Sequence, residues 1–115
     1  MLLIMDRAII GILEKVRIIG DTEKEVLAKI DTGSYNSSID VNLASELKLG
    51  PIVKSKEIRS SHGSTTRPFV KGKIEIQGVV IDVLFHIADR KEMKYSVLIG
   101  RKALKDNFLI DPGKR

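Results

Sequence analysis

The chain has 115 residues, no cysteine and a formal net charge of +5. That length suits one domain over residues 1–115 and is short for two lobes, and the missing thiols exclude disulfides, cysteine nucleophiles and cysteine-based zinc sites. Hydrophobic residues make up 43%, but only five are aromatic (Tyr35, Phe69, Phe85, Tyr95, Phe108), so Ile, Leu and Val must fill the core, a bias toward strands.

The apolar run Met1–Met5 is interrupted by Asp6 and Arg7. It is too short to span a membrane and lacks the basic start of a signal peptide, so a cytoplasmic protein without membrane attachment is expected. Ala8–Ile19 then reads as a strand, with Val16 and Ile18 alternating against Glu14, Lys15 and Arg17. Gly20-Asp21-Thr22 is a turn, and Glu23–Ile30 returns with Val26, Ala28 and Ile30 on one face. That strand runs into Asp31-Thr32-Gly33-Ser34, a carboxylate, a hydroxyl and a glycine delivered together into a tight turn. Ser37–Ile39 is a short strand, and Asp40 is an N-cap for a helix through Val41, Leu43, Ala44 and Leu47, closed by Gly50 and Pro51.

Lys56–Arg59 and Thr66–Val70 flank a polar tip, Ser60-Ser61-His62-Gly63-Ser64-Thr65, predicting a long hairpin of the kind that projects over a site. Lys73–Gln77 alternates as a strand, Gly78 marks a reversal, and Val79–Ile87 is the most apolar strand. Asp89–Lys94 is a charged loop, Tyr95–Ile99 a buried strand ending at Gly100, Arg101–Lys105 a short helix and Phe108–Ile110 a closing strand. Seven or eight strands with one proper helix predict a mainly β protein, a small closed barrel or folded sheet.

Six bases (Lys54, Lys56, Arg59, Arg67, Lys71, Lys73) face one acid, Glu57, between residues 54 and 73, so this window holds the whole charge excess. It suits an acidic partner, nucleic acid or peptide, and equally a solvated loop.

Peptide hydrolysis by carboxylates needs two that share a proton, one acting as base toward water while the other stays protonated as acid. The chain has one Asp in such a turn, so this chemistry requires a two-fold homodimer in which the turn meets its own copy. Asp-Thr-Gly alone is weak evidence. Its stronger companion is Val97-Leu98-Ile99-Gly100-Arg101, an apolar strand running into glycine and arginine.

Together, Ala28–Ser34 and Leu98–Arg101 resemble the retropepsin-type aspartic proteases. Asp89-Arg90, Met93-Lys94-Tyr95, Gly100-Arg101-Lys102-Ala103-Leu104 and Phe108-Leu109-Ile110-Asp111-Pro112 resemble more closely the retropepsin-like family labelled "ATP-dependent zinc protease", found alongside RimK-type glutamate ligases. The resemblance runs from about Ile9 to Pro112. It implies a dimeric acid-protease barrel with Asp31 as the catalytic acid. Thr32 then braces the loop pair across the dimer axis, and Gly33 and Ser34 line the floor, the Gly33 carbonyl open to a substrate amide. Leu98, Ile99 and Gly100 cradle the loop, followed by Arg101. Ser61, His62, Gly63 and Ser64, with Arg59 and Arg67, form the flap.

The retroviral members place an acid after the small residue that follows Asp-Thr-Gly, where it pairs with the later arginine. Here that position is Tyr35, so Arg101 needs another partner, Asp40 or Asp111. The label's zinc and ATP find no motif: His62 and His86 are the only histidines, with no His-Glu-x-x-His and no glycine-rich phosphate loop, so no metal or other cofactor is expected. His62 is read as a loop residue and His86 as a strand-surface one.

The leading reading is a homodimeric aspartic endopeptidase acting on peptides or proteins, with acidic, glutamate-rich segments suited to the basic flap. Its alternatives are a non-catalytic dimeric binding module of the same fold and a small basic nucleic-acid-binding β-protein. The last is disfavoured by the scarcity of aromatics and the lack of a recognition motif.

Overall fold

The computed structural model describes residues 7–61 and 63–114; the Met1–Met5 run and His62 lie outside them. The elements in order are β1 (Ala8–Ile10), β2 (Leu13–Ile19), β3 (Glu23–Ile30), β4 (Ser37–Asp40), α1 (Val41–Glu46), β5 (Ile52–Ser60), β6 (Gly63–Ile76), β7 (Val79–Ala88), β8 (Val97–Ile99), α2 (Arg101–Leu104) and β9 (Phe108–Ile110). Strands β2, β3, β8, β4, β7 and β6 are hydrogen-bonded in that order, and β6 pairs again with β2 through Arg17↔Glu75, Ile18↔Ile74 and Ile19↔Lys73. Six strands thus close into a barrel, while β5 extends from the outer edge of β6 and β1 pairs in parallel with β9.

The barrel interior is the expected aliphatic core. Val16 and Ile18 of β2, Ala28 and Ile30 of β3, Ile39, Ile74, Ile76, Val97 and Ile99 are buried together, with Phe85 and Phe108 as the aromatic members. Period-two alternation selects these residues on β2, where Lys15 and Arg17 face solvent between buried neighbours. Glu14 is the exception on the inward face. Its carboxylate accepts from the Gly11 N–H at 2.7 Å and from Gln77 Nε2 at 3.0 Å, so burial leaves neither oxygen bare.

Those bonds also break the run expected as one strand over Ala8–Ile19. The chain leaves β1 at Gly11, where a Cβ would overlap the Lys114 carbonyl, and β2 starts only at Leu13. The hairpin is longer than expected: pairing continues through Arg59↔Ser64 and Ser60↔Gly63. Lys73–Gln77 is not separate but the end of the 14-residue β6. The next reversal is Gln77-Gly78, both with positive φ (53° and 80°), the geometry of a two-residue hairpin turn between Ile76 and Val79.

Helix α1 is capped as expected, Asp40 Oδ2 accepting from the Asn42 N–H at 3.0 Å. It ends before Gly50, because Lys48 takes the left-handed conformation (φ 54°). Helix α2 is a single turn. No helix among the described residues is long and apolar enough to cross a membrane.

Candidate active site

Strand β8 lies between β3, which it pairs in parallel, and β4, which it pairs antiparallel. The chain therefore leaves β3 at Ile30, passes around the end of β8 and returns as β4, and Asp31–Asn36 is the loop that makes the passage. The Asp31 N–H donates to the Ile99 carbonyl at 2.9 Å, extending the β3–β8 ladder one residue into the loop. The Asp31 carboxylate is oriented from within its own turn: Oδ1 accepts from the Gly33 N–H at 2.9 Å and Oδ2 from Ser34 Oγ at 3.4 Å. Asp31 is half-buried, while Thr32 and Gly33 are exposed. Among the described residues no second carboxylate joins these bonds.

The end of β8 holds the other side of the loop. The Gly100 N–H donates to Ser37 Oγ at 3.0 Å, the Arg101 N–H to the Ser34 carbonyl at 2.8 Å and the Lys102 N–H to the Tyr35 carbonyl at 3.1 Å. Glycine is required at 100 by space. A Cβ there would lie 2.7 Å from the Tyr35 carbonyl oxygen and closer still to that of Asn36. Ile99 and Gly100 are thus placed against the Asp31 loop, while Leu98 pairs with Lys29 and Ser38 in the flanking strands. Arg101 pairs with neither Asp40 nor Asp111. Its guanidinium donates to the Thr32 carbonyl at 2.8 Å and lies over the Tyr35 ring, 5.8 Å from its centroid. Asp40 is occupied by the Asn42 N–H and, at 2.7 Å, the Arg90 N–H, and Asp111 by the Gly113 N–H at 2.9 Å. Tyrosine therefore does at this position, through its ring face, what an acid would do through charge.

A cleft of about 420 Å³ separates this loop from the hairpin. Gly33, Ser34, Tyr35 and Asn36 form one wall, Lys56, Glu57, Ile58 and Arg59 of β5 the other, and His86 the floor. Ser61, Gly63 and Ser64 lie beyond it at the exposed hairpin end. Arg67, on β6, is half-buried and donates to Thr65 Oγ1 at 3.1 Å. His86 is not at the strand surface. It is buried, edge-on to Phe69 with ring centroids 5.6 Å apart. Burial, then the charges of Arg67 and Arg90, push its pKa down to about 4, so it is neutral near pH 7. Asn36 and Ile58 line the cleft without having been singled out in the sequence, and His86 lines it from a buried position rather than the strand surface. The apolar residues on both sides of it, Val83–Phe85 and Ile87–Ala88, a sign of burial on both faces, are the signal that could have found the burial of His86.

A larger groove of about 670 Å³ lies elsewhere, among Ile12, Leu13, Leu27, Gln77 and Pro112. Its acid, Glu14, is committed to Gly11 and Gln77, so size does not make it the reactive site. Zinc, named in the label of the resembling family, does not fit the cleft: His86 is flanked by a phenyl ring and two guanidinium charges, which oppose a divalent cation.

A closed barrel whose Asp-Thr-Gly loop is braced by a Gly-Arg strand end defines a retropepsin-like fold. Solved structures agree. A protein of unknown function from Legionella pneumophila is 26% identical, with TM-score 0.66 over 91% of this chain and 93% of that one. EIAV protease, in complex with the inhibitor HBY-793, is 23% identical with TM-score 0.66, over 82% of this chain and 85% of its own. Simian foamy virus protease is 13% identical with TM-score 0.59, over 81% and 91%. The chain belongs to the RimB-like family, described as the retropepsin-like aspartic endopeptidase RimB, whose profile matches residues 42–115. The Asp31 loop precedes the matched segment. A probable alpha-L-glutamate ligase of Desulfotalea psychrophila is 30% identical over 63 residues, which are 54% of this chain and only 14% of that protein.

Proposed function

We propose that the protein is a homodimeric aspartic endopeptidase whose reacting centre is the Asp31 pair of two copies. The observation that carries this is the placement of Asp31: one carboxylate, oriented by Gly33 and Ser34, in a loop whose Thr32 and Gly33 are exposed. Two such carboxylates brought close cannot both ionise, so the pair holds one proton between them. The ionised member takes a proton from water as the water oxygen attacks the scissile carbonyl carbon. The protonated member gives its proton to the carbonyl oxygen, forming a neutral tetrahedral gem-diol. The first carboxyl then gives its proton to the departing nitrogen while the other carboxylate takes one from a gem-diol hydroxyl, so the C–N bond breaks, the carbonyl reforms in the product acid and the pair again holds one proton. Arg101 fixes the Thr32 carbonyl, which leaves the Thr32 side chain to brace the partner loop, and the Gly33 carbonyl receives a substrate amide.

The substrate reading extends to acidic peptides. Lys73 is paired with Asp82 at 2.7 Å and Arg59 with Glu57 at 3.6 Å, whereas Lys54, Lys56, Arg67 and Lys71 have no ion pair among the described residues. These cations on β5 and β6 give the hairpin a field that attracts a polyanionic chain. Family membership supports the peptidase reading, and the partial likeness to a glutamate ligase supports acidic substrates. The test is digestion of a peptide library, acidic sequences included, by wild type and Asp31→Asn with and without a chelator. Cleavage lost in Asp31→Asn and indifferent to the chelator is expected. Activity that survives Asp31→Asn would assign the chemistry elsewhere.

A further inference from the structure

The Thr32 carbonyl and the Gly33 N–H belong to one peptide group, which is planar and rigid. Both ends of that group are engaged. The carbonyl accepts from the Arg101 guanidinium at 2.8 Å, and the N–H donates to Asp31 Oδ1 at 2.9 Å. Turning the plane about the chain would strain both bonds together. Whatever fixes the Arg101 guanidinium therefore also fixes the donor that orients the Asp31 carboxylate.

Tyr35 is placed to fix it. The Arg101 N–H donates to the Ser34 carbonyl and the Lys102 N–H to the Tyr35 carbonyl, which sets the base of both side chains. The guanidinium then lies 5.8 Å from the Tyr35 ring centroid, within the range of a cation–π contact. Arg101 makes no ion pair among the described residues. The ring face is the electrostatic partner it has there.

We propose that Tyr35 is a positioning residue for the Asp31 carboxylate: its ring holds the Arg101 guanidinium on the Thr32 carbonyl, and the Thr32–Gly33 peptide passes that hold to Asp31 Oδ1. The consequence for catalysis rests on the peptidase reading, whereas the hold itself does not. An acid in place of the ring would act only while ionised, above about pH 4. An aromatic face has no proton to gain, so the hold persists on the acid side, where a carboxylate pair sharing one proton works. The charged and titratable groups facing this contact are Asp31 in the loop, Lys102 on α2, Lys56, Glu57 and Arg59 across the cleft on β5, and His86 at the floor. All of them stay in place when position 35 is changed, so a variant-to-wild-type ratio taken at one pH isolates the ring.

The test is amide exchange at Gly33, read by NMR in Tyr35→Leu and Tyr35→Phe at about pH 4.5 and about pH 7.5. It is joined by kcat and KM on a cleaved peptide. Tyr35 is 47% exposed, so neither variant removes a core side chain. Gly33 is expected to exchange about fivefold faster in Tyr35→Leu, by the same factor at both pH values, and at the wild-type rate in Tyr35→Phe. In an Arg101→Gln background Tyr35→Leu should add nothing, because the link it acts through is gone. The turnover number kcat should fall in step with the faster exchange, with little change in KM. Unchanged Gly33 exchange in Tyr35→Leu, an equal loss in Tyr35→Phe, or a ratio that varies with pH would overturn the proposal. A raised KM alone would assign the ring to the substrate and overturn it as well. A wild type that cleaves no peptide would count against the peptidase reading, and the Gly33 amide would still decide the positioning.

Discussion

At the scale of single residues, the Asp31 loop is held by contacts that leave little room for substitution. Gly100→Ala would push a methyl against the Asn36 and Tyr35 carbonyl oxygens, both backbone atoms. We expect a loss of about 3 kcal/mol in chemical denaturation, since the neighbouring atoms cannot turn aside as a side chain would. His86 gives a pH signature. Its pKa is about 4 in the folded state against 6.5 when free, so between those values the unfolded chain binds more protons. Stability from this residue is therefore complete above about pH 6.5, falls as the pH drops toward 4, and levels off below. Denaturation midpoints recorded over that range should show a shallower acid slope in His86→Leu than in wild type. The turn at Asp31 was legible because its Asp-Thr-Gly-Ser run is local, and its likeness to a protease loop because a second local motif, Leu98–Arg101, accompanies it. The Arg101–Tyr35 contact and the burial of His86 were not, because both depend on strands brought together from distant parts of the chain.

At the scale of elements, Asp40 joins three of them. It ends β4, caps α1 and takes the backbone N–H of Arg90 after β7. Asp40→Ala should cost about 2 kcal/mol, more than an ordinary N-cap, because a second donor loses its partner too. Thermal or denaturant unfolding of the single variant measures it. Period-two alternation made β2, β3 and β7 legible, and the cap made α1 legible. The sequence misled at its glycines. Thr66–Val70 and Lys73–Gln77 read as separate strands, yet β6 runs through Gly72 between them, where the Phe85 ring lies 3.3 Å from a built Cβ. Gly63 reads as part of a broad loop tip, yet it opens β6 with φ 111° and pairs with Ser60. At Gly72 the reason for the glycine is a partner strand, which local pattern does not contain, and at Gly63 it is the positive φ.

At the scale of the whole molecule, the barrel closes through β6 returning to β2, and that closure leaves the Asp31 loop at one end with its hairpin opposite. The fold class was legible from strand count and from paired motifs 67 residues apart, Asp31 to Leu98. The shape of the cleft was not, since it arises between β5 and a loop that do not pair. One carboxylate per chain makes the central claim a claim about two chains. Mixing tests it most directly: wild type and Asp31→Asn are combined in varying ratio, allowed to exchange subunits, and assayed at fixed total protein. A shared site predicts activity falling as the square of the wild-type fraction, to about a quarter at an equal mixture. Activity falling in simple proportion, to about half, would mean that each copy works alone and would contradict the paired-aspartate account.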